Sequence, residues 1–259
     1  MIAYLFLPRK AQPPLQTVVY FPGSGAIDLR SSDQLEMPFI DFVIKSGRAV
    51  LYPVYKGTYE RGDDLKSDHP DTSSSWRDHV IAWSKDLGRS IDYLETRPEI
   101  DTGRLAYEGL SWGGAMGSLL PALEDRIKAC VLIVPGFNLQ KSLPEADELN
   151  FAPRVKVPVL MLNGRFDFFY PMEASQEPMF RLLGTPKRQQ TARRVRDRAQ
   201  RSPQRSDQGS ARLAGPLPGP GEHDVAFVLI AETNAGRDRS RPALAWQLAR
   251  ARSAARRLG

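Results

Sequence analysis

Gly109-Leu110-Ser111-Trp112-Gly113 has the residue types and the spacing to present a serine as a nucleophile. The G-x-S-x-G pattern has a physical basis. A strand turns sharply into a helix, the serine takes a strained backbone conformation, and small residues on both sides let strand and helix approach. The flanks fit, because the apolar run 105–107 precedes the motif and a small-residue run compatible with a helix, 113–123, follows it. A serine needs a base, and the base needs an orienting partner. Asp167 is the candidate orienter. It follows the apolar run 157–162 through Asn163-Gly164-Arg165-Phe166, so it stands just past the C-terminal end of a predicted strand. In open α/β sheets ligands and catalytic groups gather at that edge. Phe21-Pro22-Gly23-Ser24-Gly25, after another apolar run, is a glycine-rich loop that can turn N–H groups toward one point, as an oxyanion site requires.

The base is the missing element. The chain has three histidines, His69, His79 and His223. His69 lies in a polar loop beside Pro70, where solvation is expected. His79 falls on a long predicted helix, where a packed or surface histidine is the default. His223 comes after Ser111 and Asp167, the order the chemistry uses, and is the candidate base, although it stands 56 residues past Asp167.

The elements that must position these groups alternate along the chain. Strands are expected at 1–7, 17–21, 49–54, 105–107, 129–134 and 157–162. Between them, Phe39, Phe42, Val43 and Ile44 give a helix an apolar face ending at Gly47, and 76–96 reads as a long helix with Val80, Trp83, Leu87, Ile91 and Leu94 at three-to-four-residue spacing. A further helix carries Met179, Phe180 and Leu183 up to Gly184. Tyr55 and Tyr59 are placed as aromatics at the rim of a pocket, and 135–156 as a small cap over it. The fold class is therefore α/β, a mostly parallel sheet with helices on both faces.

Charge divides the chain. Residues 188–259 hold 15 Arg, no Lys and 6 acidic residues, a net of +9, which leaves 21 basic and 24 acidic residues in 1–187, a net of −3. The basic balance belongs to the tail, so the folded part gives no electrostatic reason to expect nucleic acid. No window approaches the apolar length of a membrane span, and the single cysteine, Cys130, sits in an apolar run as a buried strand thiol. With no disulfide possible within the chain, a cytoplasmic setting is expected. No metal-ligand spacing is present, and neither metal nor cofactor is expected.

With these motifs in place, the chain resembles the α/β-hydrolase superfamily, nearest to its dienelactone-hydrolase, acetyl-xylan-esterase and prolyl-oligopeptidase-like group. Segments 20–25, 109–114 and 158–164 are similar to the hydrolase domain that follows a protein-kinase domain in some bacterial proteins. The resemblance covers about 1–187 and implies that Met1 lies inside the domain, after an early strand. It implies Ser111 as nucleophile, Asp167 as orienter, a histidine base, and an oxyanion hole from the N–H groups of Trp112 and Ser24. It also implies a small-molecule ester or peptide substrate.

Such proteins carry the histidine about thirty residues after the aspartate; here 193–203 contains none. From Arg188 lysine, tyrosine and methionine vanish, and a poorly ordered tail is expected. Read one base out of frame, 188–222 can encode a strand, a Gly-His loop and an amphipathic helix, with a histidine across the codons of Ala199 and Gln200. A frame shift near Lys187 is the expected cause of the break. The expected function is serine-hydrolase acyl transfer, impaired by the missing histidine; the alternative is a hydrolase fold that binds without turnover.

Overall fold

The computed structural model describes residues 1–195 and 225–231. Eight strands form one sheet in the order β7-β6-β5-β4-β2-β3-β1-β8. They are β1 (Ile2–Pro8), β2 (Leu15–Phe21), β3 (Ala49–Pro53), β4 (Ile100–Leu110), β5 (Ile127–Ile133), β6 (Val159–Gly164), β7 (Gln190–Val195) and β8 (Val225–Ala231). From β3 through β7 every pairing is parallel, while β1 runs antiparallel to β3 and β8. The helices among the described residues are α1 (Gly25–Asp28), α2 (Asp41–Lys45), α3 (Ser74–Glu95), α4 (Trp112–Met116), α5 (Glu148–Phe151) and α6 (Glu177–Leu182).

Strand β2 shows why the sheet needs helices on both sides. Val19 and Phe21 pack into one core with Trp83, Leu87, Ile91 and Leu94 of α3, while Val18 and Tyr20 pack into a second core with Val43 and Ile44 of α2. A parallel strand buried on both faces reads as a continuous apolar run, as Val18 to Phe21 does. Helix α3 is fixed at its start by the Ser73 hydroxyl, which accepts from the Trp76 N–H at 3.1 Å. A serine cap of this kind contributes about 1 kcal/mol.

Several expectations need correction. Phe39 and Phe42 are 40% and 53% exposed, because α2 is too short to turn more than Val43 and Ile44 onto the sheet. Tyr55 and Tyr59 do not line a rim. Both are fully buried, Tyr55 stacked on Phe21 with ring centroids 4.0 Å apart and Tyr59 sharing a 2.8 Å hydroxyl contact with Tyr52. The helix after Ser111 ends at Met116, and a 3-10 turn, Leu120–Ala122, follows with Pro121 inside it. Proline lacks the N–H that a continuing helix uses. The sheet also runs past the composition break at Arg188: β7 pairs with β6, placing Val195 beside Gly164. Cys130 is buried, as expected, and burial pushes its thiol well above the ordinary range.

Candidate functional site

Ser111 stands between β4 and α4 with φ 51° and ψ −106°, a region that side chains other than glycine rarely occupy. The flanking glycines make the bend possible. A Cβ on Gly109 would meet the Gly113 carbonyl oxygen at 2.1 Å, and a Cβ on Gly113 would meet that of Phe21 at 2.3 Å. Real side chains never come so close, so both positions demand glycine. Three hydrogen bonds hold the bend: Ser111 N–H to Ile133 O at 2.8 Å, Gly113 N–H to Pro22 O at 3.1 Å, and Tyr107 hydroxyl to Gly113 O at 2.6 Å. The serine is therefore placed by the backbone. Its own hydroxyl engages no partner among the described residues.

The loop that carries Ser24 is tied to the same structure. Gly23 N–H donates to Glu36 Oε2 at 3.1 Å, and Glu36 also accepts from the Tyr20 hydroxyl at 2.8 Å. Ser24 itself precedes α1, and its N–H finds no acceptor among the described residues. The same is true of Trp112 N–H at the first position of α4, where a helix leaves its leading donors unused. The Trp112 ring points the other way, into an aromatic cluster with Phe21 at 4.9 Å and Trp83 at 4.8 Å between centroids. The ring thus anchors the first turn in the core while the backbone donor is left to the sheet edge.

A small cleft of about 110 Å³ opens at this edge. Ser24, Ser111, Asp68 and His69 line it on the side of the early loops. Asn138, Leu139, Gln140, Phe169 and Tyr170 close it from the segments after β5 and β6. The expected cap at 135–156 contributes the three residues from Asn138 to Gln140. They are braced from below by Glu148 of α5, which accepts from both the Asn138 N–H at 3.2 Å and its side-chain amide at 2.6 Å. Burial pushes the Glu148 carboxyl up to about 8, and the two hydrogen bonds from Asn138 only partly oppose this.

Asp167 lies three residues past β6, at the edge where it was expected. One of its carboxylate oxygens accepts from the N–H groups of Phe169 at 2.9 Å and Tyr170 at 3.0 Å. It shapes the turn that delivers Phe169 and Tyr170 to the cleft, although Asp167 is not itself among the lining residues. Gln176 secures the end of that turn by donating to Tyr170 O at 2.7 Å.

The three histidines have different fates. His79 is nearly buried on α3, with Nδ1 against Ser75 O at 2.8 Å and Nε2 against Asp63 at 3.0 Å, so both ring nitrogens are engaged. Burial tends to raise the Asp63 carboxyl, but hydrogen bonds from Lys56, Leu65 N–H and His79 bring it down to about 2. His223 lies outside the described residues. His69 is exposed, as expected of a solvated loop residue, yet it faces the same cleft as Ser111. The sequence held one pointer to this: 56–75 follows strand β3, so it begins at the same sheet edge as the elbow.

Comparison with known proteins agrees with this architecture. The family model described as "DLH: Dienelactone hydrolase family" matches residues 1–182. YtaP of Bacillus subtilis (strain 168), a protein named as a hydrolase, is 27% identical over 140 residues, which are 50% of this chain and 46% of YtaP. The chain thus spans less than half the length of that relative. Among solved structures, the acetyl xylan esterase from Paenibacillus sp. R4 is similar at 20% identity with a TM-score of 0.55, over 76% of this chain and 73% of its own. A Klebsiella pneumoniae protein named as a dienelactone hydrolase is similar at 20% identity with a TM-score of 0.57, over 75% and 79%. Likeness at that identity speaks for the fold. The strained serine, the close-packed glycines and the parallel sheet fit the family match over most of the described residues, and the chain belongs to the dienelactone hydrolase family of the α/β-hydrolase superfamily.

Proposed function

We propose that the chain is an ester-directed serine hydrolase in which Ser111 forms an acyl-enzyme, with turnover lowered by the loss of the usual base. The observation that carries this reading is the Ser111 backbone at φ 51°, with two free N–H donors, of Trp112 and Ser24, on the adjoining turns. Strain of this kind persists where the surrounding structure over-determines it and gathers at working sites. In the reaction Ser111 attacks an ester carbonyl, and the two N–H groups hold the oxyanion. Asp167, three residues past β6, has the role of orienting the usual base of such a site. The family match to dienelactone hydrolases, whose substrates are named as lactones, supports an ester as the substrate class.

The segment after β7 carries no histidine between Arg196 and Glu222. Losing the base of a triad reduces turnover by up to about a million-fold. That absence favours one second reading, a hydrolase fold that binds its ligand and does not turn it over. Hydrolysis of a small activated ester by the chain, by Ser111→Ala and by a frame-restored protein separates the two. Activity that Ser111→Ala removes supports the enzyme. Equal, background-level hydrolysis by the chain and Ser111→Ala, with no acylation of Ser111, leaves the binding module.

A further inference from the structure

The cleft holds an imidazole, that of His69, whose ring has no partner among the described residues. We propose that His69 acts as the general base and acid for Ser111, a role that rests on Ser111 being the nucleophile. Three observations support it. His69 and Ser111 line one cleft, and Ser24 of the oxyanion loop lines it with them. The His69 ring engages no partner among the described residues, in contrast to His79, whose two ring nitrogens are both occupied. Asp68, on the same wall, also has a carboxylate without a partner among the described residues, and it adds negative charge beside an imidazolium as that forms.

The backbone under His69 is fixed although its ring is free. Its N–H donates to the Ser67 hydroxyl at 3.0 Å, and the next residue, Pro70, is buried. Upstream, Asp63 ties the loop to α3 through His79 and to Lys56 across a 2.5 Å ion pair. Downstream, Asp71 accepts from Ser73 N–H at 2.7 Å just before α3 begins. The tethered loop holds His69 at the cleft that Ser111 also lines.

The proton steps balance without any further reactant. As Ser111 Oγ bonds to the carbonyl carbon, its proton passes to a His69 ring nitrogen. The tetrahedral intermediate collapses, the ester C–O bond breaks, and His69 returns the proton to the departing alkoxide. Water then attacks the acyl-enzyme, gives a proton to His69, and releases the acid as that proton returns to Ser111.

The test compares the full chain with its Ser111→Ala, His69→Ala and His223→Gln variants on a short-chain p-nitrophenyl ester, with and without added imidazole. His69→Ala is expected to lower kcat by about 100-fold or more with KM little changed. Imidazole should restore part of the lost rate in a concentration-dependent way, and His223→Gln should leave kcat unchanged. A full rate in His69→Ala while Ser111→Ala is inactive overturns the role of His69 and keeps the nucleophile. A fall that imidazole does not rescue, or a loss in His223→Gln instead, also overturns it. Absence of any Ser111-dependent hydrolysis by the full chain overturns both this role and the reading it rests on.

Discussion

Gly113 packs against Phe21 so tightly that a single added methyl group would sit 2.3 Å from the Phe21 carbonyl oxygen. The serine elbow and the loop carrying Ser24 are therefore one mechanical unit, joined also by the bond from Gly113 N–H to Pro22 O. Gly113→Ala should force the two apart. The expected cost is about 3 kcal/mol of stability or more, together with loss of Ser111 reactivity. Urea unfolding measures the first and acylation the second; a variant as stable as the parent would show that the two loops are not in contact.

Tyr107 offers a milder test of the same unit. Its hydroxyl donates to Gly113 O at 2.6 Å in a fully buried setting. Tyr107→Phe keeps the ring and removes the bond, so it should cost about 1 kcal/mol and leave the sheet intact. Ser111 should then acylate more slowly, because the turn loses one of its restraints. Unchanged stability in thermal or urea unfolding would contradict this.

Asp167 serves a turn and is proposed to orient a base, and two substitutions separate these roles. Asn retains an oxygen for the N–H groups of Phe169 and Tyr170, whereas Ala removes it. In the frame-restored protein, where a base returns after β7, Asp167→Asn is expected to fold normally with lowered turnover, and Asp167→Ala to lose about 1–2 kcal/mol of stability as well. Full activity in Asp167→Asn, measured on the same ester, would confine the residue to the turn.

Glu108 gives a pH prediction. Its side chain is 2% exposed, one carboxylate oxygen has no partner, and burial pushes the carboxyl from 4.5 up to about 7. Between those two values the folded chain keeps a proton that the unfolded chain has released. Stability therefore falls as pH rises through this window and levels off above it. Glu148 adds a loss of the same sign up to about pH 8. Glu108→Gln should remove on the order of 2–3 kcal/mol of that fall between pH 4.5 and 7. Urea melts at both pH values decide it, and an identical pH slope in parent and variant would refute the assignment.

Much of this arrangement was legible in the sequence because it rests on local constraints. The elbow around Ser111 requires glycines at fixed offsets, and parallel strands buried on both faces must be apolar throughout. Asp167 was placed by chain order and by its position past a strand. His69, Tyr55 and Tyr59 were less legible, because polarity and spacing along a loop do not tell which way its residues turn. Tyr55 lies in the core because it stacks on Phe21, which in turn packs edge-on against Trp83, partners distant in sequence. The loop that brings His69 to the cleft is held by a local bond to Ser67 and by the Asp63–His79 contact, which forms only once α3 is docked.

The central claim is that Ser111 is a nucleophile, and the most direct measurement is covalent labelling followed by mass spectrometry. The full chain and Ser111→Ala are incubated with an activated fluorophosphonate, then digested. The account predicts one adduct per chain, on the peptide containing Ser111, and none in Ser111→Ala. An unlabelled Ser111 in folded protein, or equal labelling of both chains at another residue, would contradict it.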